Sequence, residues 1–261
     1  MSALQPCPKC DAKVEVGHRF CGHCGYKIEI PPPKTSGAAL IRIHGGGADG
    51  ARYELTKGDQ TIGRVEGSIT FPDDPFVSDQ HAQLHFNGNS VAVDDLDSDN
   101  GIFVRIKGPV KLNVGDEFLA GEELLVLEEV PLADSFRDEA NTYFFGSVQP
   151  ATGLRIRQVL EGGYSGGGIM ARGSMVTIGR EDVEIEFPDD RFISGRHCAL
   201  EFTPTGYTLT DLGSRNGTFV RINTTTTLSH GDFLFLGRQL LRVEVSSSKQ
   251  SEQSNEGEAS G

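Results

Sequence analysis

Residues 61–74 read TIGRVEGSITFPDD, and residues 177–190 read TIGREDVEIEFPDD. The same offset of 116 residues aligns 61–127 with 177–243 without a gap, and 29 of these 67 positions are identical. Such self-similarity indicates that one structural unit has been duplicated. Two copies are too few for a solenoid, so each copy is expected to fold by itself.

Short apolar runs in each copy end at turn-forming residues and alternate with polar positions. In the first copy these runs are Leu40–Ile43, Tyr53–Leu55, His81–Phe86, Ser90–Val93, Phe103–Ile106 and Leu124–Leu127, and similar runs lie 116 residues later. Alternation of this kind is typical of strands with one buried and one exposed face. The 33 Gly, 12 Pro and absence of Trp agree with short strands and many turns. The sequence therefore predicts an all-β protein with two tandem antiparallel β-sandwiches.

The predicted domain organisation has six segments. Pro31-Pro32-Pro33 forms a stiff spacer that separates a cysteine-rich N-terminal module from the two copies. The predicted segments are a ribbon-like module at 1–30, a Pro-rich linker at 31–39, a first sandwich at 40–131, a linker at 132–150, a second sandwich at 151–245 and a disordered tail at 246–261.

The formal net charge of −13 is unevenly distributed. Residues 38–130 carry seven Lys or Arg against seventeen Asp or Glu, whereas residues 151–245 carry ten against eleven. Neither copy offers the basic face that a nucleic-acid backbone requires, which argues against nucleic acid as the main ligand. No apolar run approaches the roughly 18 residues that span a bilayer, and the first residues lack a secretory pattern. We therefore expect a cytoplasmic protein with no membrane partner.

Four of the five cysteines form two C-x2-C pairs, Cys7 with Cys10 and Cys21 with Cys24. Two such pairs at this spacing indicate a small zinc ribbon, in which four thiolates complete a tetrahedron around a structural zinc ion. A module of about thirty residues cannot build a core, so metal binding would supply its folding energy. Redox-active pairs are the alternative, but no thioredoxin-like pattern surrounds them. Cys198 stands in a strand-like run and is interpreted as a buried small apolar residue.

Three motifs follow one another in the second copy: Gly179-Arg180, then Ser194-Gly195-Arg196-His197, then Ser214-Arg215-Asn216-Gly217-Thr218. In this order and at these separations they resemble the forkhead-associated (FHA) domain family, which is marked by GR, S-x-x-H and S-x-N-G-T. The resemblance covers 154–245. It implies a β-sandwich whose loops at one end bind a phosphothreonine peptide, without catalysis.

The chemistry of a phosphothreonine agrees with these motifs, because its two negative charges require guanidinium groups, hydroxyls and backbone N–H groups from converging loops. By the family pattern, Arg180 supplies a two-pronged contact, Ser194 donates its hydroxyl and Asn216 binds the peptide backbone. The implied phosphopeptide contacts are Arg180, Ser194, Gly195, Arg196, Arg215 and Asn216. The implied structural supports are Gly179, His197, Gly217 and Thr218.

The first copy keeps Arg64 and Ser78 at the equivalent positions, so it also resembles an FHA domain. Its ligand positions differ, because Asp79 replaces the equivalent of Gly195 and Asp99 replaces that of Arg215. At about 5 Å and an effective dielectric near 20, each carboxylate repels a phosphate charge by roughly 3 kcal/mol. We therefore expect a degenerate domain that serves packing or a non-phosphorylated partner.

The sequence thus favours a phosphothreonine-binding adaptor in Ser/Thr kinase signalling that acts through the second copy. Its partner would be a phosphothreonine-containing protein, either a Ser/Thr kinase or a substrate of one. The main alternative is a nucleic-acid-binding regulator led by the zinc ribbon. An enzyme is disfavoured, because the sequence offers no nucleophile–base pair, nucleotide loop or open metal site.

Overall fold

The structure is a computed structural model that describes residues 4–7, 9–10, 12–15, 22–24, 26, 37–129, 139–143, 145–147, 154–170, 173–203 and 206–246. These residues form β-strands and one short 3-10 helix at Glu161–Gly163, and the described part contains no α-helix. Gly37–Val245 forms one compact unit, and the described part of 1–36 belongs to another. The predicted all-β class is confirmed. The described residues include no helix long and apolar enough to cross a membrane.

The first unit contains one two-stranded sheet, and all other strands lie in the second unit. In chain order the strands are β1 (Leu4–Pro6), β2 (Lys13–Glu15), β3 (Ala38–Ile43), β4 (Asp49–Leu55), β5 (Gly58–Gly63), β6 (Ile69–Thr70), β7 (Ala82–Phe86), β8 (Val91–Asp95), β9 (Ile102–Arg105), β10 (Val110–Leu112), β11 (Glu117–Ala120), β12 (Glu123–Glu129), β13 (Leu154–Val159), β14 (Ser165–Met170), β15 (Met175–Gly179), β16 (Ile185–Glu186), β17 (Cys198–Thr203), β18 (Gly206–Asp211), β19 (Thr218–Arg221), β20 (Thr226–Leu228), β21 (Phe233–Leu236) and β22 (Gln239–Val245).

The second unit contains two sandwiches, and each is built from strands of both copies. The outer sandwich consists of β3–β9 and β20–β22, and the inserted sandwich consists of β10–β19. One sheet of the outer sandwich has the order β20-β8-β7-β5-β6, and one sheet of the inserted sandwich has the order β10-β18-β17-β15-β16. Their other sheets join into a single ten-stranded sheet with the order β14-β13-β12-β11-β19-β9-β21-β22-β3-β4.

The hydrophobic cores follow the sandwiches and not the copies. The outer core packs Leu40 and Leu84 of the first copy against Leu234 and Leu241 of the second. The inserted core includes Phe118 of the first copy together with residues of the second, and Phe118 is completely buried. Burial of this apolar surface is the main favourable contribution to folding. Each core therefore depends on both halves of the chain.

In this structure the last three strands of each copy lie in the sandwich built mainly from the other copy, so the two sandwiches do not coincide with the sequence ranges 40–131 and 151–245. This exchange of strands between the two copies has a simple physical basis, because equivalent strands of the copies carry equivalent core residues. Leu112 and Leu228 are buried at equivalent positions, and so are Leu125 and Leu241. Either copy can thus supply the last three strands to either sandwich, and such exchange costs little free energy.

Polar contacts between the copies accompany the exchanged strands. Arg242 in β22 forms a two-pronged ion pair with Asp49 in β4, and both nitrogen–oxygen distances are 2.8 Å. In the inserted sandwich, the Arg155 Nε donates to Glu128 at 2.9 Å. These groups are partly exposed, so each pair contributes little to stability.

Candidate functional site

The end of β15 fixes the backbone of Arg180 against the second motif. The Arg180 N–H lies 3.0 Å from the carbonyl oxygens of both Ser194 and Gly195. Gly179 must lack a side chain here, because a Cβ would overlap the Gly195 carbonyl oxygen. The first two motifs are therefore held in direct contact, and 41% of the Arg180 side chain is exposed to solvent.

His197 is completely buried and links the second motif to the third. Its Nδ1 accepts a hydrogen bond from the Ser194 N–H at 3.0 Å, and its Nε2 lies 3.1 Å from the Gly217 carbonyl oxygen. This arrangement requires the proton on Nε2, which donates to Gly217. Burial lowers the pKa of His197, so the ring is neutral near pH 7. The imidazole thus acts as a fixed connection between two loops.

Asp211 organises the turn of the third motif. Its Oδ1 accepts hydrogen bonds from the N–H groups of Gly213 and Ser214, both at 2.9 Å. Its Oδ2 accepts the Ser214 and Thr218 hydroxyls at 2.6 and 2.7 Å. Burial opposes ionisation, but these hydrogen bonds prevail and lower the pKa of Asp211. Gly217 closes the turn with a φ of +85°, a conformation that favours glycine.

The three motifs converge on Ser194. The Arg215 N–H donates a hydrogen bond to the Ser194 Oγ at 3.0 Å, which uses that oxygen as an acceptor. Within the described residues, the hydroxyl hydrogen of Ser194 has no acceptor, so it can be donated to a ligand. The backbones of Arg180 and Arg215 therefore both contact the serine whose hydroxyl remains available.

The three motifs of the second copy together form what we call the second site, and most of the charge on its arginines is unpaired. Arg196 and Arg215 are exposed, and in the described part of the chain neither forms an ion pair. Arg180 has one contact with a carboxylate, at 4.0 Å from Glu181. Three guanidinium groups around one available hydroxyl suit a ligand with two negative charges.

Asn216 lies beside these groups, but its amide is used within the protein. Its Nδ2 donates a hydrogen bond to the Phe192 carbonyl oxygen at 2.7 Å. The Phe192 N–H in turn donates to the Asp190 Oδ1 at 2.7 Å. Asn216 thus positions the loop before Ser194, and its expected contact with a peptide backbone stays a prediction.

The equivalent site of the first copy, which we call the first site, has the same histidine contact, but its ligand positions carry different side chains. His81 accepts the Ser78 N–H at 3.1 Å, as His197 does in the second copy. However, the Arg64 Nη2 is paired with Asp79 at 2.6 Å, and the Ser78 hydroxyl donates to the Asp99 Oδ2 at 2.9 Å. Two carboxylates of the protein therefore engage both groups that a phosphate would need.

Two contacts between the copies at the second site were not expected from the sequence. The Glu122 N–H of the first copy donates to the Asp190 Oδ2 at 2.7 Å. The Arg105 side chain lies so close to Gly217 that a Cβ there would overlap it. The FPDD sequence common to both copies indicates that Asp190 has a structural role, but it does not show which copy supplies its hydrogen-bond partner.

The N-terminal cysteines form a candidate metal site. The sulfur atoms of Cys7, Cys10 and Cys24 lie within 4.8 Å of one another, and those of Cys7 and Cys24 are 3.7 Å apart. Zn–S bonds of about 2.3 Å place neighbouring sulfurs of a tetrahedral site about 3.8 Å apart. The Lys9 N–H donates to Cys7 at 3.4 Å. The cluster can hold a metal ion, while Cys21, the predicted fourth ligand, lies outside the described residues.

The fifth cysteine, Cys198, lies in β17 inside the inserted sandwich. It is completely buried. Burial raises the pKa of its thiol to about 12, so the group stays protonated at neutral pH. The prediction of a buried small apolar residue is confirmed.

Comparison with protein families supports the motif-based prediction. The FHA domain model matches residues 60–121 and 176–237, which fall in the two copies. The zinc-ribbon domain model matches residues 3–28, which contain both cysteine pairs. The predicted architecture of two FHA regions after a zinc ribbon is therefore confirmed.

Two of the similar curated proteins each match about two fifths of this chain. An oxoglutarate dehydrogenase inhibitor of Corynebacterium diphtheriae is 35% identical over 107 residues, which are 40% of this chain and 73% of the relative. The glycogen accumulation regulator GarA of Mycolicibacterium smegmatis is 35% identical over 102 residues, 38% of this chain and 64% of the relative. Among solved structures, the FHA domain of the Chlamydia trachomatis protein CT664 is 13% identical and aligns over 81% of this chain and 99% of that chain. Its TM-score of 0.33 is too low to bear on the fold.

Proposed function

Because the chain belongs to the family of FHA-domain proteins, we propose that it is an adaptor that binds phosphothreonine peptides through its second site. The observation that carries this proposal is the contrast between Arg180 and Arg64. Arg180 lies 4.0 Å from one carboxylate, whereas Arg64 is paired with Asp79 at 2.6 Å. The proposed peptide contacts are Arg180, Ser194, Gly195, Arg196, Arg215 and Asn216.

The proposed binding follows from the geometry of the three motifs. Arg180 presents a planar fork that can make two parallel charge-assisted hydrogen bonds with phosphate oxygens. The Ser194 hydroxyl and the Gly195 N–H add neutral donors beside it, and Arg196 and Arg215 add positive charge. Thr218 supports the turn through its hydrogen bond to Asp211. The site therefore binds a phosphate by donors alone.

We propose that the biological role is non-catalytic regulation within Ser/Thr kinase signalling. The relatives named above are an inhibitor of oxoglutarate dehydrogenase and a regulator of glycogen accumulation. By analogy, this chain would regulate a phosphothreonine-containing protein, either a Ser/Thr kinase or a substrate of one. The first site, with Asp79 and Asp99 in its ligand positions, would serve packing or a non-phosphorylated partner.

We also propose that the metal of the N-terminal module is a structural zinc ion held by Cys7, Cys10, Cys21 and Cys24. A site with four thiolates is closed to further ligands, so its contribution would be folding free energy. The matched zinc-ribbon model and the convergence of three cysteine sulfurs support this choice of metal.

A phosphopeptide library tests the proposed function with the full-length protein. We expect capture of phosphothreonine peptides and none of their unphosphorylated counterparts. Phosphoserine should bind about 10- to 200-fold more weakly, because one buried methyl group is worth about 1–3 kcal/mol. Equal calorimetric affinity for phosphorylated and unphosphorylated peptides would refute the proposal.

A further inference from the structure

The turn between β11 and β12 of the first copy packs against the second site. The Glu122 N–H donates a hydrogen bond to the Asp190 Oδ2 at 2.7 Å. Gly121 has a φ of +68° and no room for a side chain, because a Cβ there would overlap that same oxygen. The turn is thus fixed through its backbone on the loop 190–193.

The loop 190–193 connects this turn to the phosphate-binding motifs. Asp190 accepts the Phe192 N–H at 2.7 Å, and the Phe192 carbonyl accepts the Asn216 amide at 2.7 Å. Ser194 follows the loop directly in sequence. Glu122 itself is exposed. Glu122 therefore lies at the rim of the second site, one loop away from the residues proposed to contact the phosphate.

The rim that the first copy supplies is acidic. Glu123, the next residue, accepts a hydrogen bond from the Gln158 amide at 2.6 Å. Burial and the nearby charges of Asp190 and Glu122 raise the pKa of Glu123. The Glu123 carboxyl is thus close enough to those two charges to be repelled by them, and a basic ligand group nearby would relieve that repulsion.

At the first site, the second copy contributes a residue whose charge is opposite to that of Glu122. Arg238 is the equivalent of Glu122, and its N–H donates to the Asp74 Oδ2 at 2.8 Å. Its guanidinium carbon lies 4.3 Å from the centroid of the Phe76 ring. Strand exchange therefore places Glu122 at the second site and Arg238 at the first. If each copy kept its own strands, these two residues would be interchanged.

We propose that Glu122 of the first copy determines peptide specificity at the second site by pairing with a basic side chain of the phosphothreonine peptide. The inference rests on the proposed function, because it requires a peptide held by Arg180 and Ser194. An ion pair at an exposed rim changes affinity by about two- to fivefold. Glu122 thus selects among phosphopeptides and does not anchor them.

The test compares full-length wild type with Glu122→Lys and with the matched control Arg238→Glu, a charge reversal at the equivalent position. The probe is a phosphothreonine peptide series in which one Lys or one Glu is moved through the flanking positions. We expect wild type to prefer Lys over Glu by about two- to fivefold at one or more positions. Glu122→Lys should reverse this preference, and Arg238→Glu should leave it unchanged.

A second variant separates the effect of lost charge from the effect of lost folding. Glu122→Gln removes the charge while its backbone N–H remains, so the preference should disappear with no change in thermal unfolding. An unchanged preference in both Glu122 variants overturns the inference. Reversal by Arg238→Glu instead would show that each copy keeps its own strands, and would overturn it as well.

The same measurements separate this inference from the proposed function. Wild-type binding of phosphothreonine peptides with no charge preference overturns the role of Glu122 alone. Failure of wild type to bind any phosphothreonine peptide overturns the proposed function, and the role of Glu122 with it.

Discussion

Val104 and Val220, equivalent residues of the two copies, lie directly opposite each other in the antiparallel pair formed by β9 and β19. On one side of this pair Phe219 faces Arg105, and the interchanged equivalents face each other on the other side. The pairing is therefore unchanged when the two copies are exchanged, so a local two-fold axis passes between the valines. The ten-stranded sheet runs through this axis, and in each half two strands of one copy lie between strands of the other, β11 and β12 between β19 and β13, and β21 and β22 between β9 and β3.

The two sites should differ sharply in their response to mutation. We expect Arg180→Ala or Ser194→Ala in the full-length protein to weaken phosphopeptide binding at least tenfold, because each charge-assisted hydrogen bond contributes about 1.5–3 kcal/mol. Arg64→Ala and Ser78→Ala are the matched controls and should change affinity less than twofold. Calorimetry with one phosphothreonine peptide measures all four, and a large loss in either control would contradict the asymmetry.

Removal of the two carboxylates should restore phosphate binding at the first site. In an Arg180→Ala background, where the second site is weakened, we expect Asp79→Gly, Asp99→Arg and Ile102→Thr, which introduce the residues found at the equivalent positions of the second copy, together to raise the phosphopeptide affinity measurably. The changes free the Arg64 and Ser78 side chains from their internal partners. Titration of this variant against Arg180→Ala alone decides the point, and identical curves would mean that charge is not the main defect.

Disulfide formation should report the strand exchange directly. Ile43 in β3 lies opposite Leu240 in β22. Side chains that face each other across antiparallel strands lie about 4.5–5.5 Å apart at Cβ, which suits a disulfide with slight adjustment. We expect Ile43→Cys with Leu240→Cys to crosslink on mild oxidation, as detected by mass spectrometry of digested protein. The control pairs Ile43→Cys with Leu124→Cys, the equivalent residue of the first copy, and crosslinking there would argue against exchange.

Three histidines, His81, His85 and His197, should titrate on different sides of the ordinary pKa of 6.5. Burial lowers the pKa of His81 and His197, so their contribution to stability is complete above pH 6.5 and is lost as pH falls towards the folded pKa. Hydrogen bonds to Asp59 and Asp94 raise the pKa of His85, so its contribution is complete below pH 6.5 and is lost at higher pH. NMR titration of the ring protons measures each midpoint. A midpoint of His197 above 6.5 would be inconsistent with the buried neutral ring.

Metal analysis should find one zinc ion per chain in protein purified under reducing conditions. Three cysteine sulfurs already lie within 4.8 Å of one another, and the fourth thiolate would complete the tetrahedron. Replacing Cys7 and Cys24 by Ser should abolish zinc binding, whereas Cys198→Ser should not, because Cys198 is buried in β17. Protein without zinc that retains a folded N-terminal module would contradict the proposal.

Much of the architecture was predictable because local patterns determine it. Alternating apolar residues indicated the strands, and the structure confirms such a strand at Ala82–Phe86, where buried and half-buried residues alternate. The exchange of strands was not predictable for a physical reason. Leu125 and Leu241 occupy equivalent positions in equivalent strands, so no hydrophobic pattern states which sandwich either one enters.

The same distinction, between features set by local sequence and features set by strand exchange, applies to the predicted site. Short motifs indicated that Arg180 and Ser194 meet, and their backbones do lie in contact at 3.0 Å. The expected interference of Asp79 and Asp99 takes a more specific form, since each carboxylate binds a ligand group of the first site. The approach of Glu122 to the second site depends on exchange between distant strands, and local sequence carries no signal for it.

The order of strands also sets an order of assembly during protein synthesis. The inserted sandwich has all of its strands once Arg221 has left the ribosome, whereas the outer sandwich, which begins at Ala38, must wait for β20–β22. At a translation rate of roughly 5–20 residues per second, the chain from Arg105 to Val245 takes about 7–28 seconds to make, and during that interval β10–β12 of the first copy are the available partners for β3–β9. The outer sandwich, whose first strands precede those of the inserted sandwich in the chain, thus reaches its final strand pairing last.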